Sequence, residues 1–199
     1  MKKYFAVLLA CLALAIPAIA GAATYQLDPV HSSIQFKIRH LTVSNVTGTF
    51  NKFKGAASIE GEDLATLKVE VTIDAASIDT GHQKRDEHLR TPDFLDVAKY
   101  PTITFVSKKV MKGDPGKLKI TGDLTIHGVT REITVDLEGP TSEVKDPWGG
   151  FRRGATATAR IDRRDFGITW NTALDSGGML VGNEVTIYVD VEWVKKPLP

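Results

Sequence analysis

Apolar and polar residues alternate with a period of two along most of the chain after Tyr25, and this pattern limits the fold to one built from strands. In the clearest example, Ile34, Phe36 and Ile38 are separated by polar Gln35 and Lys37. The same alternation recurs at 69–73, 103–105, 118–120, 124–126, 133–137 and 185–193. Successive side chains of a strand point to opposite faces, so each segment offers one face to a core and the other to water.

Turn-forming residues separate these segments, and they favour short antiparallel strands. They occur at Gly61-Glu62-Asp63, Gly113-Asp114-Pro115-Gly116 and His127-Gly128. Short strands joined in this way are typical of a sandwich or a barrel, and closing the barrel removes every exposed strand edge. We predict an all-β fold, an antiparallel β-barrel of about eight strands.

One segment, 79–90, has no alternation. Thr80 followed by Gln83 fits a capping box, in which each side chain bonds a free backbone amide at the start of a helix. Pro92 would stop the helix soon after Arg90. The sequence therefore predicts a short helix at 81–90.

The N-terminus has the features of a secretory signal peptide. Lys2 and Lys3 precede an apolar run at 5–19, and small residues follow up to Ala23. The run is too short for a convincing membrane-spanning helix, so we predict no stable membrane span. Cleavage after Ala20, Ala22 or Ala23 fits equally well. We assign residues 1–23 to the signal peptide and 24–199 to one domain, and we expect the mature protein in the periplasm.

The single cysteine, Cys11, lies within this leader. Its neighbours weakly resemble a lipoprotein cleavage site, but an apolar stretch follows where a polar tether is usual, so we interpret Cys11 as part of the leader; lipidation stays open. Removing 23 residues from 199 leaves 176, which suffice for one core. A mature chain without cysteine has no internal disulfide, so packing must stabilise it.

The charge of the chain excludes some classes of partner. Without Lys2 and Lys3, the 25 basic side chains fall to 23 against 24 acidic ones, a net charge of −1. No basic stripe suggests a nucleic acid or an anionic membrane surface as partner.

The residues expected inside the barrel favour a cavity. Ala155, Ala157 and Ala159 alternate with polar residues, so this strand should point alanines inward. An eight-stranded barrel is either filled by side chains or holds one small ligand. The filled alternative would use Phe36, Phe50, Phe53 and Phe105. Two glycine-rich loops, 146–151 and 171–182, carry apolar residues that suit either a lipid entrance or ordinary packing on the rim.

The predicted helix gathers most of the charged candidates, namely His82, Arg85, Asp86, His88 and Arg90. Four interpretations are open: a solvated face with local ion pairs, bonds from Arg85 or Arg90 to the barrel, recognition of a ligand head group, or catalysis. A zinc site needs further ligands, and the chain has no H-E-x-x-H and no mature cysteine, so we predict no metal. His40 shares the parity of Ile34, Phe36 and Ile38, which makes it a candidate for the polar end of a ligand.

Motifs along the whole mature chain resemble the YceI-like, polyisoprenoid-binding family. They are Asp28-Pro29-x-His31-Ser32-x-Ile34-x-Phe36, His40-Leu41, Gly48-x-Phe50-x-x-Phe53-x-Gly55, Ser77-Ile78-Asp79-Thr80, Arg85-Asp86-x-His88-Leu89-Arg90, Phe94, Lys99-Tyr100-Pro101-x-Ile103-x-Phe105, Gly122-Asp123-Leu124-Thr125-Ile126-His127-Gly128-Val129-Thr130, Asp146-Pro147-Trp148-Gly149 and Arg164-Asp165-Phe166-Gly167.

The resemblance implies a lipocalin-like extended barrel, closed at one end by a helix, with an isoprenoid tail inside. It also implies secretion to the periplasm, no established catalytic chemistry and no cofactor. The head group stays open among a quinone, an isoprenoid phosphate and a fatty amide.

We therefore predict a binding protein for a polyisoprenoid or isoprenoid-quinone lipid, with no catalytic residue. The expected apolar lining is Phe36, Ile38, Phe50, Phe53, Ile73, Phe105, Ala157 and Trp170. The expected polar set, at the head group or in a structural role, is His40, Arg85, Asp86, His88 and Arg90. The alternatives are an enzyme acting on such a lipid, with His88 and Asp86 as its acid–base pair, and a stress or assembly protein with a filled barrel. A homodimer through exposed edges or apolar loops stays open.

Overall fold

The computed structural model describes residues 22–175 and 177–195. The predicted signal peptide up to residue 21, with Cys11, lies outside the described residues. The strands are β1 (Ala23–Leu27), β2 (Ser33–His40), β3 (Ser44–Phe50), β4 (Phe53–Glu60), β5 (Asp63–Asp74), β6 (Ile78–Asp79), β7 (Thr102–Lys112), β8 (Lys117–Ile126), β9 (Val129–Glu138), β10 (Val144–Lys145), β11 (Phe151–Asp162) and β12 (Val181–Lys195). One α-helix, α1 (Gln83–Leu89), and two 3₁₀ helices, Ala75–Ser77 and Arg163–Phe166, complete the described elements.

Eight of the strands form a closed antiparallel ring in the order β11-β9-β8-β7-β5-β4-β1-β12. The ring closes because β12 pairs with β11 over most of the length of both strands, from Arg152 opposite Val194 to Asp162 opposite Glu184. The predicted β-barrel of about eight strands with one short α-helix is thus confirmed. Closure pairs the edges that an open sheet would expose.

The barrel is extended because β12 has two partners on its other side. Near its C-terminal end Trp193 lies opposite Leu27 of β1, and near its N-terminal end Val181 lies opposite His40 of β2. The strands β1 and β2 pair in turn with β4 and β3. The wall therefore continues past the end of β1, and a long interior results.

The hairpin between β8 and β9 shows how a predicted turn shapes the wall. His127 and Gly128 both have positive φ angles, of 52° and 73°, as a tight two-residue hairpin of type I′ requires. Glycine is also needed sterically, because a Cβ at Gly128 would collide with the ring of Tyr100. The turn prediction from His127-Gly128 is confirmed.

The helix begins later than the capping box predicts. The residue that caps it is His82, whose Nδ1 accepts from the backbone N–H of Arg85 at 3.4 Å. The Thr80 hydroxyl instead donates to Asp86 Oδ1 at 2.5 Å, and Gln83 Nε2 donates to Glu87 at 2.9 Å. The predicted capping box is wrong because the buried carboxylate of Asp86 takes the Thr80 hydroxyl. The helix ends at Leu89, shortly before Pro92 as predicted.

Charged side chains attach α1 to the segment 76–80 that precedes it. Asp86 is buried and accepts from both the N–H and the hydroxyl of Thr80. Arg85 donates to the hydroxyl and the carbonyl oxygen of Thr80, at 2.7 and 2.8 Å. Arg90 donates to the carbonyl oxygens of Ala76 and Ile78, at 2.8 and 2.7 Å. The bonds of Arg85, Asp86 and Arg90 agree with the structural alternative, whereas His82 is exposed and His88 pairs with Asp93 at 2.8 Å, as the solvated-face alternative expects.

We expect Arg90→Met to lower the free energy of unfolding by about 1.5–3 kcal/mol, because charged donors to two carbonyl groups are lost. The melting temperature should fall by roughly 3–10 °C, as measured by circular dichroism. The matched control is Arg160→Met on the exposed outer face of β11, which should change the free energy of unfolding by less than about 0.5 kcal/mol. Equal stability of the two variants would contradict this role of Arg90.

Away from the helix, Arg152 joins three segments. Its Nε donates to Asp146 at 2.8 Å and its Nη1 to Asp28 at 2.9 Å, and it also pairs with Glu192 of β12. A bond from His31, aided by one from Arg152, lowers the pKa of Asp28 to about 2. Asp28, His31 and Glu192 are close enough to ligate a cation, but Arg152 already supplies positive charge to both carboxylates.

The low pKa of Asp28 makes the free energy of unfolding depend on pH. The folded state binds the proton of Asp28 more weakly than the unfolded state, whose pKa is about 3.9. The contribution of the Asp28 carboxylate to the free energy of unfolding is therefore complete above about pH 3.9, and it is lost as the pH falls towards about 2. We expect Asp28→Asn to lose less stability than the unmodified protein between pH 7 and pH 3, as measured by urea unfolding. The control Asp114→Asn, in an exposed turn, should lose as much as the unmodified protein.

Candidate functional site

The barrel encloses a cavity of about 550 Å³, which is within the range of small-molecule binding pockets. Most of its walls are apolar. The apolar lining includes Ile34, Phe36, Ile38, Phe50, Leu67, Val69, Val71, Ile73, Ile103, Phe105, Leu124, Ile126, Ile133, Val135, Leu137, Ile161, Phe166, Val185, Ile187, Val189, Val191 and Trp193.

The strand β11 explains why space remains inside. Ala155, Ala157 and Ala159 line the cavity, as their alternation predicts. On neighbouring β12 they lie opposite Val191, Val189 and Ile187. Small side chains along one wall leave a volume that larger ones would occupy. The structure therefore shows an open interior and not the filled alternative.

Most of the predicted apolar residues lie at this cavity. The seven that line it are Phe36, Ile38, Phe50, Ile73, Phe105, Ala157 and Trp170. The eighth, Phe53, packs instead against the buried cluster that contains Tyr25, Leu27 and Trp193, and it does not line the cavity.

One end of the cavity, here called the helix end, is formed by α1, the segment 163–170 and the start of β12. Lys84, Arg85, His88 and Leu89 of α1 line it. The rings of His88 and Trp170 lie edge to face with centroids 5.0 Å apart, and Arg163 donates to the carbonyl oxygen of Trp170 at 2.8 Å. These contacts show that α1 and the segment after β11 meet at one place.

Only some of the predicted polar residues lie at the cavity. His40, Arg85 and His88 line the cavity, whereas Asp86 and Arg90 do not. His88 Nε2 is 2.8 Å from Asp93, and Asp86 is bonded to Thr80. His88 and Asp86, the suggested acid–base pair, therefore each have a different hydrogen-bond partner.

Two buried arginines also line the cavity, and sequence reasoning missed them. They are Arg153 and Arg163, with exposed fractions of 6% and 4%. Arg153 shares the odd-numbered parity of Ala155, Ala157 and Ala159 within β11, so the alternation of that strand contained the signal for it. Arg163 is the first residue of the 3₁₀ helix after β11, where alternation no longer applies. Arginine is rarely buried without a partner, so residue type alone gives no reason to expect either side chain inside the barrel.

Arg153 is fully partnered. Its Nη2 donates to both carboxylate oxygens of Glu62, at 2.6 and 2.8 Å, and its Nε donates to the Tyr25 hydroxyl at 3.1 Å. Burial disfavours the charge, but these bonds outweigh burial and raise the pKa of Arg153. Burial and a bond to Glu143 raise the pKa of Tyr25.

Arg163 is partnered only in part. Its Nε donates to Gly182 at 2.9 Å, and its Nη1 to the carbonyl oxygens of Ile168 and Trp170 at 2.9 and 2.8 Å. Its buried Nη2 has no hydrogen-bond partner among the described residues. Burial lowers the pKa of this guanidinium.

The two predicted loops lie differently with respect to the cavity. Leu180, in the loop 171–182, lines the cavity, and Asn171 holds this loop through bonds to the backbone of Val181 at 2.7 and 3.0 Å. Trp148, in the loop 146–151, is 84% exposed and does not line it. Of the two loops, only 171–182 borders the space where a ligand would lie.

No helix in the described part of the chain is long and apolar enough to cross a membrane.

Comparisons with known proteins agree with this architecture. The UPF0312 protein of Vibrio parahaemolyticus is 45% identical over 169 residues, which cover 84% of this chain and 88% of that protein. The crystal structure of the Campylobacter jejuni YceI protein is 34% identical, with a TM-score of 0.68, and the match covers 81% of this chain and 91% of that one.

A more distant structure has the same fold. A polyisoprenoid-binding domain from Saccharophagus degradans is 17% identical, with a TM-score of 0.63, and the match covers 86% of this chain and 98% of that one. The family model of the YceI-like domain matches residues 25–193, which is nearly the whole of the described barrel. The chain therefore belongs to the YceI-like family.

Proposed function

We propose that this protein binds one long-chain isoprenoid lipid, a polyprenyl lipid or an isoprenoid quinone, inside the barrel and transports or stores it in the periplasm. The observation that supports this most directly is the long cavity, whose walls are apolar over most of their length. Membership of the YceI-like family agrees with it, and the related Saccharophagus degradans domain is described as polyisoprenoid-binding.

The shape of the cavity favours a chain over a compact molecule. The residues of β12 that line it begin at Val181, continue at every second position from Val185 and end at Trp193. At about 3.4 Å per residue, this stretch extends for roughly 40 Å along the strand. Because barrel strands tilt by about 35–45°, the lined length along the barrel axis is roughly 30 Å. Each methylene removed from water contributes about 0.8 kcal/mol, so a long tail binds tightly without covalent chemistry.

The periplasmic location depends on the predicted signal peptide. The strand β1 begins at Ala23, which pairs with Ile59 of β4. Cleavage after Ala20 or Ala22 would leave this strand whole, whereas cleavage after Ala23 would remove its first residue. We therefore propose one of the first two sites, and the mass of the exported protein distinguishes them.

The first test is native mass spectrometry of the mature protein purified from a bacterial periplasm, combined with organic extraction. We expect a stoichiometric adduct whose extracted mass matches an isoprenoid, because the apolar walls would otherwise face water. The same spectrum reports whether the protein is a monomer or a dimer. An apo mass that persists after incubation with quinones and polyprenyl phosphates would refute lipid binding.

A second test fills the cavity. Ala157 is buried in the middle of the β11 wall, so Ala157→Trp should place an indole where the tail would lie. We expect lipid uptake to fall at least tenfold while the far-ultraviolet circular dichroism spectrum is retained. The control is Arg160→Trp on the outer face of the same strand, which should bind lipid normally. Normal uptake by a folded Ala157→Trp protein would contradict the assignment of the cavity.

A further inference from the structure

Two neighbouring turns beside the start of β12 expose apolar side chains. The turn 41–43 joins β2 to β3, and its Leu41 and Val43 are exposed, Val43 by 78%. Met179, in the loop 171–182, is 51% exposed. The backbone N–H of Leu41 donates to the carbonyl oxygen of Leu180 at 2.8 Å, so the two turns lie side by side. Leu41, Val43 and Met179 are here called the apolar tips.

Folding alone does not explain the apolar residues of the first turn. Leu41 and Thr42 have φ angles of 52° and 59°, in the left-handed region that favours glycine or asparagine. Val43 is exposed and so contributes little to a core. A turn that only reversed the chain would suit small polar residues here. Apolar side chains gathered at one place on a surface instead indicate contact with another apolar phase.

Hydrogen bonds hold the second turn against the barrel. The side chain of Asn171 bonds the backbone of Val181 at 2.7 and 3.0 Å, and the N–H of Leu180 donates to the carbonyl oxygen of Thr172 at 2.9 Å. Met179 is therefore presented from an ordered backbone. An ordered loop loses little conformational entropy when it binds.

The apolar tips lie at an opening of the cavity. Arg39 and Lys84 line the cavity and are also exposed, so the cavity reaches the surface at the end of β2 and at α1. Leu180, which bonds Leu41, lines the cavity as well. A hydrocarbon chain that enters beside the apolar tips therefore reaches the interior along an apolar path.

The same opening carries positive charge. Neither Arg39 nor Lys84 makes an ion pair with a described residue, and no aspartate or glutamate is among the described residues that line the cavity. Arg39 donates to the carbonyl oxygen of Thr42 at 2.6 and 3.1 Å, and Asp175 is the acidic residue of the two turns. The two cations belong to β2 and α1, so the sequence contains no basic stripe although the fold places both at one opening.

We propose that the apolar tips insert into the surface of a bilayer that contains anionic phospholipids, and that the isoprenoid lipid enters the barrel there. Exposed cations beside apolar side chains are the combination that holds a protein on such a surface, since the cations attract phosphates while the apolar groups leave water. The choice of a membrane as partner rests on the proposed function, because an isoprenoid is poorly soluble in water and is supplied by a bilayer.

The opposite end of the barrel provides a control. Trp148 is exposed there, in the loop that precedes β11, and Arg152 of that strand lies opposite Val194 near the C-terminal end of β12. Trp148 does not line the cavity. If any exposed apolar side chain sufficed, this tryptophan would bind a bilayer at least as well as the apolar tips.

The test is flotation of the delipidated mature protein with vesicles of phosphatidylcholine alone and of equal parts phosphatidylcholine and phosphatidylglycerol. We expect at least tenfold more protein on the anionic vesicles, and a decrease at high salt because salt screens the charges. The double variant Val43→Ser, Met179→Ser should reduce the bound fraction at least fivefold. Trp148→Ser removes a larger exposed side chain and should bind like the unmodified protein.

A second pair of variants tests the charge. Lys84→Gln should weaken binding to the anionic vesicles at least threefold. The control Lys145→Gln removes an equal exposed charge close to Trp148 in sequence and should leave that binding within twofold of the unmodified protein. Equal flotation with both kinds of vesicle would overturn the role of Arg39 and Lys84.

Three further outcomes decide the docking surface. Equal flotation of the double variant and the unmodified protein, or an equal loss in Trp148→Ser, would overturn it. A dimer that the double variant converts to a monomer, without any flotation, would assign the apolar tips to a second copy and would also overturn it. Native mass spectrometry after incubation with an isoprenoid quinone in detergent separates this inference from the proposed function. Lipid uptake without flotation overturns the docking surface alone, whereas flotation without uptake refutes the proposed function and leaves the membrane contact.

Discussion

The pairing of β11 with β12 is the contact on which the rest of this structure depends. It joins the last long strands of the chain from Arg152 and Val194 to Asp162 and Glu184, and it turns an open sheet into a ring. Closure satisfies the backbone groups of both strands and separates an interior from water. The same two strands also provide the contrast between small and branched side chains that keeps the interior open.

An apolar cavity is unfavourable for an empty protein, since its walls lose the van der Waals contacts that a filled core would provide. Three buried clusters around the cavity offset this cost, at the helix end, at the opposite end and along the middle of the wall. The barrel is therefore stabilised by its walls and its ends, and the space between them remains available for a lipid.

Arginines connect the irregular segments to this frame. Arg90 bonds carbonyl groups around the first 3₁₀ helix and β6, Arg152 joins the turn after β1 to β12, and Arg163 bonds the segment that follows the second 3₁₀ helix. Loops leave carbonyl groups that no strand neighbour can satisfy, and a guanidinium offers five donors in a fixed plane. At Arg163 one nitrogen of the guanidinium, Nη2, has no hydrogen-bond partner among the described residues.

The sequence by itself determined the strands, the turn at His127-Gly128 and the inward direction of Ala155, Ala157 and Ala159, because the alternation of side chains along a strand is a local property. It also indicated that His40 faces the interior. Only the tertiary structure decided that Asp86 takes the Thr80 hydroxyl and that Phe53 packs away from the cavity. It also decided that Arg153 has a carboxylate partner, while Arg163 has none within residues 22–175 and 177–195. These outcomes depend on which distant side chains meet after the ring closes, and spacing along the chain does not encode them.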